Sequence, residues 1–433
     1  MTRTLELLAP AGNFEKLKFA LHYGADAVYC SGKAFGLRAF AGNFSNEELA
    51  EAIRYTHAQG KKLYVTLNAY PHNAELAGLE DYLAFLESVQ PDALLIADPG
   101  VYDIAMACGL SVPVHISTQA TIVNWAGVHF WEKQKNVERV VLARELALSE
   151  IAAIAEKTET ELEIFVHGAM CMSYSGRCLL SNYMTGRDAN KGECAQPCRW
   201  NYALVEEKRP GVYYPIEQDD HGSYIFNSFD LCTLARLPEI LAAGTVQSLK
   251  IEGRMKSLYY VSTIIRCYRH VIDAWLAHGS VAEEELRYWL DELEKVSHRP
   301  YTTGFLFGRP EASSVAGGEA PAQLVQPDNA VNSASSGYIK PYDFVGIVRD
   351  YDAETGVATI EQRNKLSLGD TIQFFGADYR EYNHTITAMQ DETGASIDSA
   401  PHAQQIVRMA LPFAVQPMDL IRKKTTSAVT GPV

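Results

Sequence analysis

The sequence predicts an α/β fold: a TIM-like (β/α)8 barrel with a cysteine-rich insertion, followed by a small all-β, barrel-like domain. Three observations carry the prediction. Eight short apolar runs alternate with helix-period segments, one interval between runs is far longer than the rest, and the pattern turns to β-strands after a stretch rich in Ser, Ala, Gly and Pro.

The eight runs are residues 5–8, 27–29, 63–67, 93–97, 114–116, 140–142, 164–166 and 249–251. Between them lie helical patterns such as Phe14, Leu17 and Leu21 before the stop signal Gly24. Ser45 and Glu48 read as a capping box ahead of Leu49 and Ile53. A doubly wound open sheet is the competing architecture, but eight strand–helix units are what closes a barrel. About eighty residues separate the seventh run from the eighth, where the other units need twenty to forty, so something is inserted there. The expected plan is a barrel over 1–310 with the insertion at 168–232, a linker over 311–337, and a β domain over 338–433. Residues 343–349, 357–362, 371–375, 383–389 and 406–409 are the strands of that last domain, as a barrel or a sandwich.

Of the 433 residues, 47% are hydrophobic and 21% charged, which describes a folded chain rather than a disordered one. The opening MTRTLELLAPAG lacks the basic and apolar regions of a signal peptide and any membrane-spanning run, so a cytoplasmic protein without membrane association is expected. A formal net charge of -15 repels polyanions at long range, so an RNA partner would need a local basic patch. Eight cysteines in such a chain point to metal or redox chemistry rather than disulfides.

Five of them, Cys171, Cys178, Cys194, Cys198 and Cys232, fall in one glycine-rich and polar segment with little core to join. Cys30, Cys108 and Cys267 lie in or beside apolar runs, where a free cysteine behaves as a small hydrophobe. Six residues separate Cys171 from Cys178, fifteen Cys178 from Cys194, and three Cys194 from Cys198. These are not the spacings of a zinc ribbon or a ferredoxin, yet four thiolates in this segment suit either Zn²⁺ or an iron–sulfur cluster.

In a (β/α)8 barrel the C-terminal ends of the strands converge on one site. Here those ends carry Asn68, Asp98, Ser117 with Gln119, Arg144, His167, and Lys250 with Glu252. His115 precedes Ser117 by two and shares its face. The expectation is one cavity into which His115, Arg144, His167 and Glu252 open, with the cysteine insertion beside it. His167 reads either as a proton donor or as a hydrogen-bonded strand end.

The stretch HGAMCMSYSGRCLLSNYMTGRDANKGECAQPCRW, the opening LLAPAGNFEKLKFALHYGADAVYCSG and the later SLKIEGRMKSLYYV together resemble the collagenase-like peptidase family U32 over most of residues 7–274. The β domain resembles that family's C-terminal domain. The resemblance implies a four-iron–four-sulfur cluster with Cys171, Cys178, Cys194 and Cys232 as ligands and Cys198 as a fifth candidate. It implies oxygen-independent hydroxylation of the tRNA wobble uridine to 5-hydroxyuridine, with prephenate as hydroxyl source. Hydroxylation of another RNA or of a quinone precursor is the variant reading.

A prephenate site needs cations for two carboxylates, and of Arg144, Arg177, Arg187 and Arg254 the sequence favours Arg144 and Arg254. The catalytic set expected on these grounds is His167, Arg144, Glu252 and Arg254. Arg187, Lys191, Arg199, Lys208, Arg209 and the run from Arg422 to Lys424 are the cations expected to meet tRNA. Tyr174, Tyr183, Trp200 and Tyr202 read as base-stacking groups or as the insertion's own small core. The alternative function is the peptidase of the family's name. No Ser-His-Asp pattern and no HExxH supports it, and its carboxylates would come from Asp98, Asp230 and Glu252.

Overall fold

The computed structural model describes residues 5–33, 35, 43–171, 173–191, 193–199, 218–219, 222–223, 229–308 and 339–425. Eight parallel strands close on themselves: β1 (Glu6–Pro10), β2 (Ala27–Cys30), β3 (Lys62–Leu67), β4 (Ala93–Ile96), β5 (Val114–Ile116), β6 (Val137–Val141), β7 (Glu161–Ala169) and, after three short strands in the insertion, β11 (Ser248–Ile251). The β11 strand pairs with both β1 and β7, which removes every free edge. Around the barrel pack α1 (Phe14–His22), α2 (Asn46–Ala58), α3 (Leu79–Val89), α4 (Pro99–Ala107), α5 (Trp125–Glu132), α6 (Leu148–Ala155), and, beyond the insertion's short α7 (Leu180–Thr185), α8 (Leu237–Ala243) and α9 (Leu258–His278). The capping box at Ser45 forms: Glu48 N donates to Ser45 Oγ at 3.2 Å and Ser45 N to Glu48 Oε2 at 2.8 Å.

Strand alternation sorts the side chains. Leu7, Val28, Val65, Leu94 and Ile164 face the helices and build the main core, while Leu8, Ala27, Tyr29, Tyr64, Ala93 and Leu95 pack inside the barrel. The barrel interior also holds charge. Arg139 NH1 bonds Glu6 Oε1 at 2.6 Å and Glu163 Oε2 at 3.2 Å, and Lys250 Nζ bonds Glu163 Oε1 at 2.7 Å. Two cations and two carboxylates balance there, with Tyr64 and Ser248 hydroxyls also on Glu6.

One irregularity decides what lies beyond. In the β11–β7 ladder Lys250 pairs with Phe165 but the next residue, Ile251, pairs with His167, so β7 carries one extra residue. From there β7 continues past the barrel and pairs antiparallel with β10 (Asp230–Cys232), which follows the two-residue strands β8 (Gln218–Asp219) and β9 (Gly222–Ser223). β12 (Tyr301–Thr302) adds to β10 in parallel.

The second domain is all-β. A six-stranded antiparallel sheet has the order β17 (Glu381–Thr385), β16 (Thr371–Phe375), β20 (Leu420–Lys424), β13 (Tyr342–Asp352), β14 (Val357–Gln362), β19 (Ile406–Ala410), and β15 (Leu366–Ser367) pairs with β18 (Ser399–Ala400). Isolated bridges pair Gln390 with Ser396 and with Arg408 of β19. The linker expected over 311–337 lies outside the described residues. Ile347, Phe375 and Leu420 of the β domain belong to the same core as the barrel's outer helices, with α10 (Glu283–Leu293) between. Strand β20 was not among the expected strands. Arg422, expected as an RNA-facing cation, is instead fully buried on that strand and paired with Glu292. No described helix is long and apolar enough to cross a membrane.

Candidate active site at the barrel mouth

The C-terminal ends of the barrel strands enclose a cavity of about 480 Å³ including its open mouth, lined by Tyr29, Thr66, Asn68, Leu95, Ser117, Thr118, Gln119, Val141, Arg144, Phe165, Lys250, Glu252 and Arg254. Its polar groups are pre-positioned. Asn68 Nδ2 donates to Ser117 Oγ at 3.1 Å and to Gln119 Oε1 at 3.2 Å. The Arg144 guanidinium lies 3.8 Å from the centroid of the Phe165 ring and donates through NH1 to the Ala169 carbonyl at 2.5 Å. Arg254 NH1 donates to Thr66 Oγ1 at 3.1 Å, and the Arg254 backbone is approached so closely by Gly12 that a Cβ there would stand 2.4 Å from its carbonyl oxygen. Three lining cations, Arg144, Lys250 and Arg254, face one lining carboxylate, Glu252. Such a cavity favours an anion.

Of the four residues expected to open together, Arg144 and Glu252 do so. His167 does not. The extra residue in β7 turns its side chain out of the barrel, where its ring packs against Tyr260, Tyr268 and Tyr301 at 5.5–5.9 Å. Burial in that aromatic nest pulls its pKa down to about 3, against the opposing pull of Asp230, so the imidazole is neutral. His167 is not among the residues that line the cavity. His115 faces the barrel interior but one layer deeper, edge-on to Tyr64 with centroids 4.7 Å apart. Burial and the neighbouring Arg139 and Lys250 hold it well below the ordinary histidine range.

The three carboxylates proposed for a peptidase do not converge. Asp98 caps α4 through Val101 N at 2.9 Å. Asp230 is buried against Arg299, with Arg299 Nε at 3.1 Å and NH2 at 2.5 Å from Oδ1. Only Glu252 lines the cavity.

The cysteine segment rises from the same rim and is tied to it. Ser175 N donates to Glu145 Oε1 at 3.0 Å, Thr121 Oγ1 donates to the Ser175 carbonyl at 2.6 Å, and Arg177 Nε donates to Thr121 Oγ1 at 3.2 Å. Cys171 and Cys178 are hydrogen-bonded to each other. That bond and burial push the Cys171 thiol up. The bond from Cys171, with the Ser173 side chain and the backbone N–H groups of Leu180 and Ser181, pushes Cys178 down to about 5. Cys198 is close enough for its charge to bear on Cys171, and Cys194 accepts from Gln196 N at 3.4 Å. Cys232 lies elsewhere: it is buried in the main core with its thiol on Tyr268, and burial pushes it up to about 12. Cys30 and Cys267 are buried, as small hydrophobes are, whereas Cys108 is exposed at the end of α4. Among the described residues no three His, Cys, Asp or Glu side chains converge as a finished metal site.

The groups expected to meet tRNA are divided. Tyr183 is 87% exposed and Tyr174 57%, so neither serves as a core for the insertion. Lys191 is tied to Glu75 at 2.9 Å. Trp200, Tyr202, Lys208, Arg209 and the Arg199 side chain lie outside the described residues. Lys250 was read only as one member of the polar ring, and Glu163 and Thr66 were not singled out. The signal for Glu163 was present in the alternation ELEIFVHGA, which places Glu161 and Glu163 on the inward face of a central strand.

The model for peptidase family U32 matches residues 12–316, and that for the peptidase family U32 C-terminal domain matches residues 340–422. The chain belongs to peptidase family U32. Among U32 relatives, a tRNA hydroxylation protein P1 from Bacillus subtilis is 41% identical over 98% of this chain and 96% of its own. A tRNA hydroxylation protein P from Escherichia coli is 35% identical over 94% of both. A 23S rRNA 5-hydroxycytidine synthase from Escherichia coli is 36% identical over 70% of this chain and 46% of its own.

Proposed function

We propose that this U32 chain is a cytoplasmic tRNA-modifying hydroxylase. It converts the wobble uridine to 5-hydroxyuridine without molecular oxygen, using prephenate or a related small dicarboxylate and an iron–sulfur cluster. The observation that carries the reading is the cavity in which Arg144, Lys250 and Arg254 face a single carboxylate, on the rim that also bears the Cys171–Cys178 pair. A small polyanion suits the first, and soft-metal ligation suits the second. The hydroxylation proteins named above span nearly the whole chain and support the RNA substrate.

The cysteine segment fits an iron–sulfur group in donor chemistry: two thiols in contact, Cys178 among hydrogen-bond donors that lower its pKa, with Cys194 and Cys198 in the same segment. Cys171, Cys178 and Cys194 would hold it, with the fourth position falling to Cys198 or, through movement of β10, to Cys232. A bound cluster with an open iron supplies Lewis-acid or one-electron chemistry. The chain's own part is to fix the small anion with Arg144 and Arg254 and to offer exposed Tyr174 and Tyr183 as faces on which unpaired bases stack.

The deciding experiment is nucleoside analysis of tRNA from cells lacking this protein and any redundant hydroxylase. The wobble 5-hydroxyuridine family should disappear and return with the wild-type gene. Unchanged modification would remove the tRNA reading.

A further inference from the structure

Lys250 is 3% exposed and lines the floor of the mouth cavity. An ammonium has three N–H donors. Among the described residues its hydrogen-bond acceptor is Glu163 Oε1 at 2.7 Å, and its ring contacts are the faces of Tyr29 and Phe165, with Nζ 4.5 Å and 5.5 Å from the centroids. Two donors therefore remain on a buried cation at the bottom of a cavity, an arrangement that is costly unless an acceptor fills it. Glu163 is not free to shift toward them, because Arg139 NH1 holds its other oxygen at 3.2 Å. The buried quartet of Lys250, Arg139, Glu163 and Glu6 carries two charges of each sign, and Arg139 also reaches the half-exposed Glu161 at 2.7 Å.

We propose that Lys250 is a substrate-binding residue whose ammonium donates to an anionic oxygen of the small carboxylate-bearing substrate, and that Glu163, clamped by Arg139, is the positioning residue that aims it. The assignment deepens the proposed function and rests on its reading of the mouth cavity as the small-anion site. It adds a third contact, from the cavity floor, to those of Arg144 and Arg254 at the walls. Unlike them, this contact can lose its charge. Burial lowers the Lys250 pKa from the ordinary lysine value while Glu163 opposes the shift. The other groups bearing on it are Arg139 and Glu6 in the layer below and His115, which is held neutral. As pH rises through the lysine's ionisation, the anion loses that contact, whereas the arginines keep theirs.

Malonate, a small dicarboxylate, serves as the probe, titrated calorimetrically into the full-length protein. Lys250→Gln should weaken binding by about tenfold or more, and Glu163→Gln by less. Lys250→Arg keeps the charge of the network and serves where Lys250→Gln fails to fold. It should bind within about threefold of wild type and lose the wild-type decline in affinity at alkaline pH. Wild-type protein that does not bind malonate, Lys250→Gln that binds it as wild type does, or Lys250→Arg that keeps the alkaline decline would each overturn the assignment. Intact tRNA modification in the deletion cells, beside malonate binding that requires Lys250, would instead sink the hydroxylase reading and leave Lys250 in place.

Discussion

Arg422 and Glu292 join the two domains through a bidentate pair, NH1 to Oε2 at 2.8 Å and NH2 to Oε1 at 2.9 Å, with both side chains fully buried. Arg266 of α9 reaches the same carboxylate at 3.2 Å, and both arginines also approach Glu381. Removing Arg422 leaves Glu292 with Arg266 and Lys295 as its remaining cations, so part of the charge stays compensated. Arg422→Ala should cost roughly 3 kcal/mol of stability, the low end for breaking a buried pair. The measurement is denaturant unfolding, and the loss should appear in the main transition because the two domains share one core across this pair.

The same pair sets the acid response. Despite the upward push of burial, Arg422, Lys295 and Arg266 bring Glu292 down from 4.5 to about 2. A depressed carboxyl adds stability that is complete above its unfolded value and is lost as pH falls through its folded value. Thermal midpoints should therefore fall between about pH 4.5 and pH 2. Glu292→Gln should be less stable than wild type at neutral pH and show a flatter decline over that window.

Cysteine replacements separate ligands from packing. Anaerobically purified protein should be brown, with iron and sulfide in about equal amounts. Cys171→Ala and Cys178→Ala should lose the colour, while exposed Cys108→Ala should keep it. Comparing Cys198→Ala with Cys232→Ala identifies the fourth ligand. Colourless wild-type protein carrying one zinc would overturn the iron–sulfur assignment.

Gly176 has φ +75° and sits where a Cβ would come within 2.2 Å of the Gln119 carbonyl oxygen. Gly176→Ala should unseat the cysteine segment from the rim at a local cost of about 1 kcal/mol or more. Limited proteolysis should cut the variant within the segment at protease levels that spare the wild type, with barrel melting nearly unchanged.

The barrel was legible because central parallel strands are buried on both faces and read as near-continuous apolar runs. What escaped was set by partners rather than by local pattern. His167 ends a strand at a position that simple alternation would turn inward, and only the ladder with β11 reveals the extra residue that turns it outward. The sequence LIRKK resembles a solvated basic tail, yet Leu420, Ile421 and Arg422 are buried because Glu292 waits on another element. At the site, Arg144, Glu252 and Arg254 could be found from strand ends, whereas which cysteines approach one another is a matter of tertiary structure that spacing does not encode.

The extra residue in β7 gives one strand two jobs. Up to Phe165 its inward side chains are bound to the charged floor and cavity wall, and beyond it the chain belongs to a different layer with His167, β10 and the cysteines. The two parts remain joined, because the Ala169 carbonyl accepts from Arg144 and the His167 carbonyl accepts from Glu252 N at 2.8 Å, so a movement of the outer segment reaches two of the groups that line the mouth cavity.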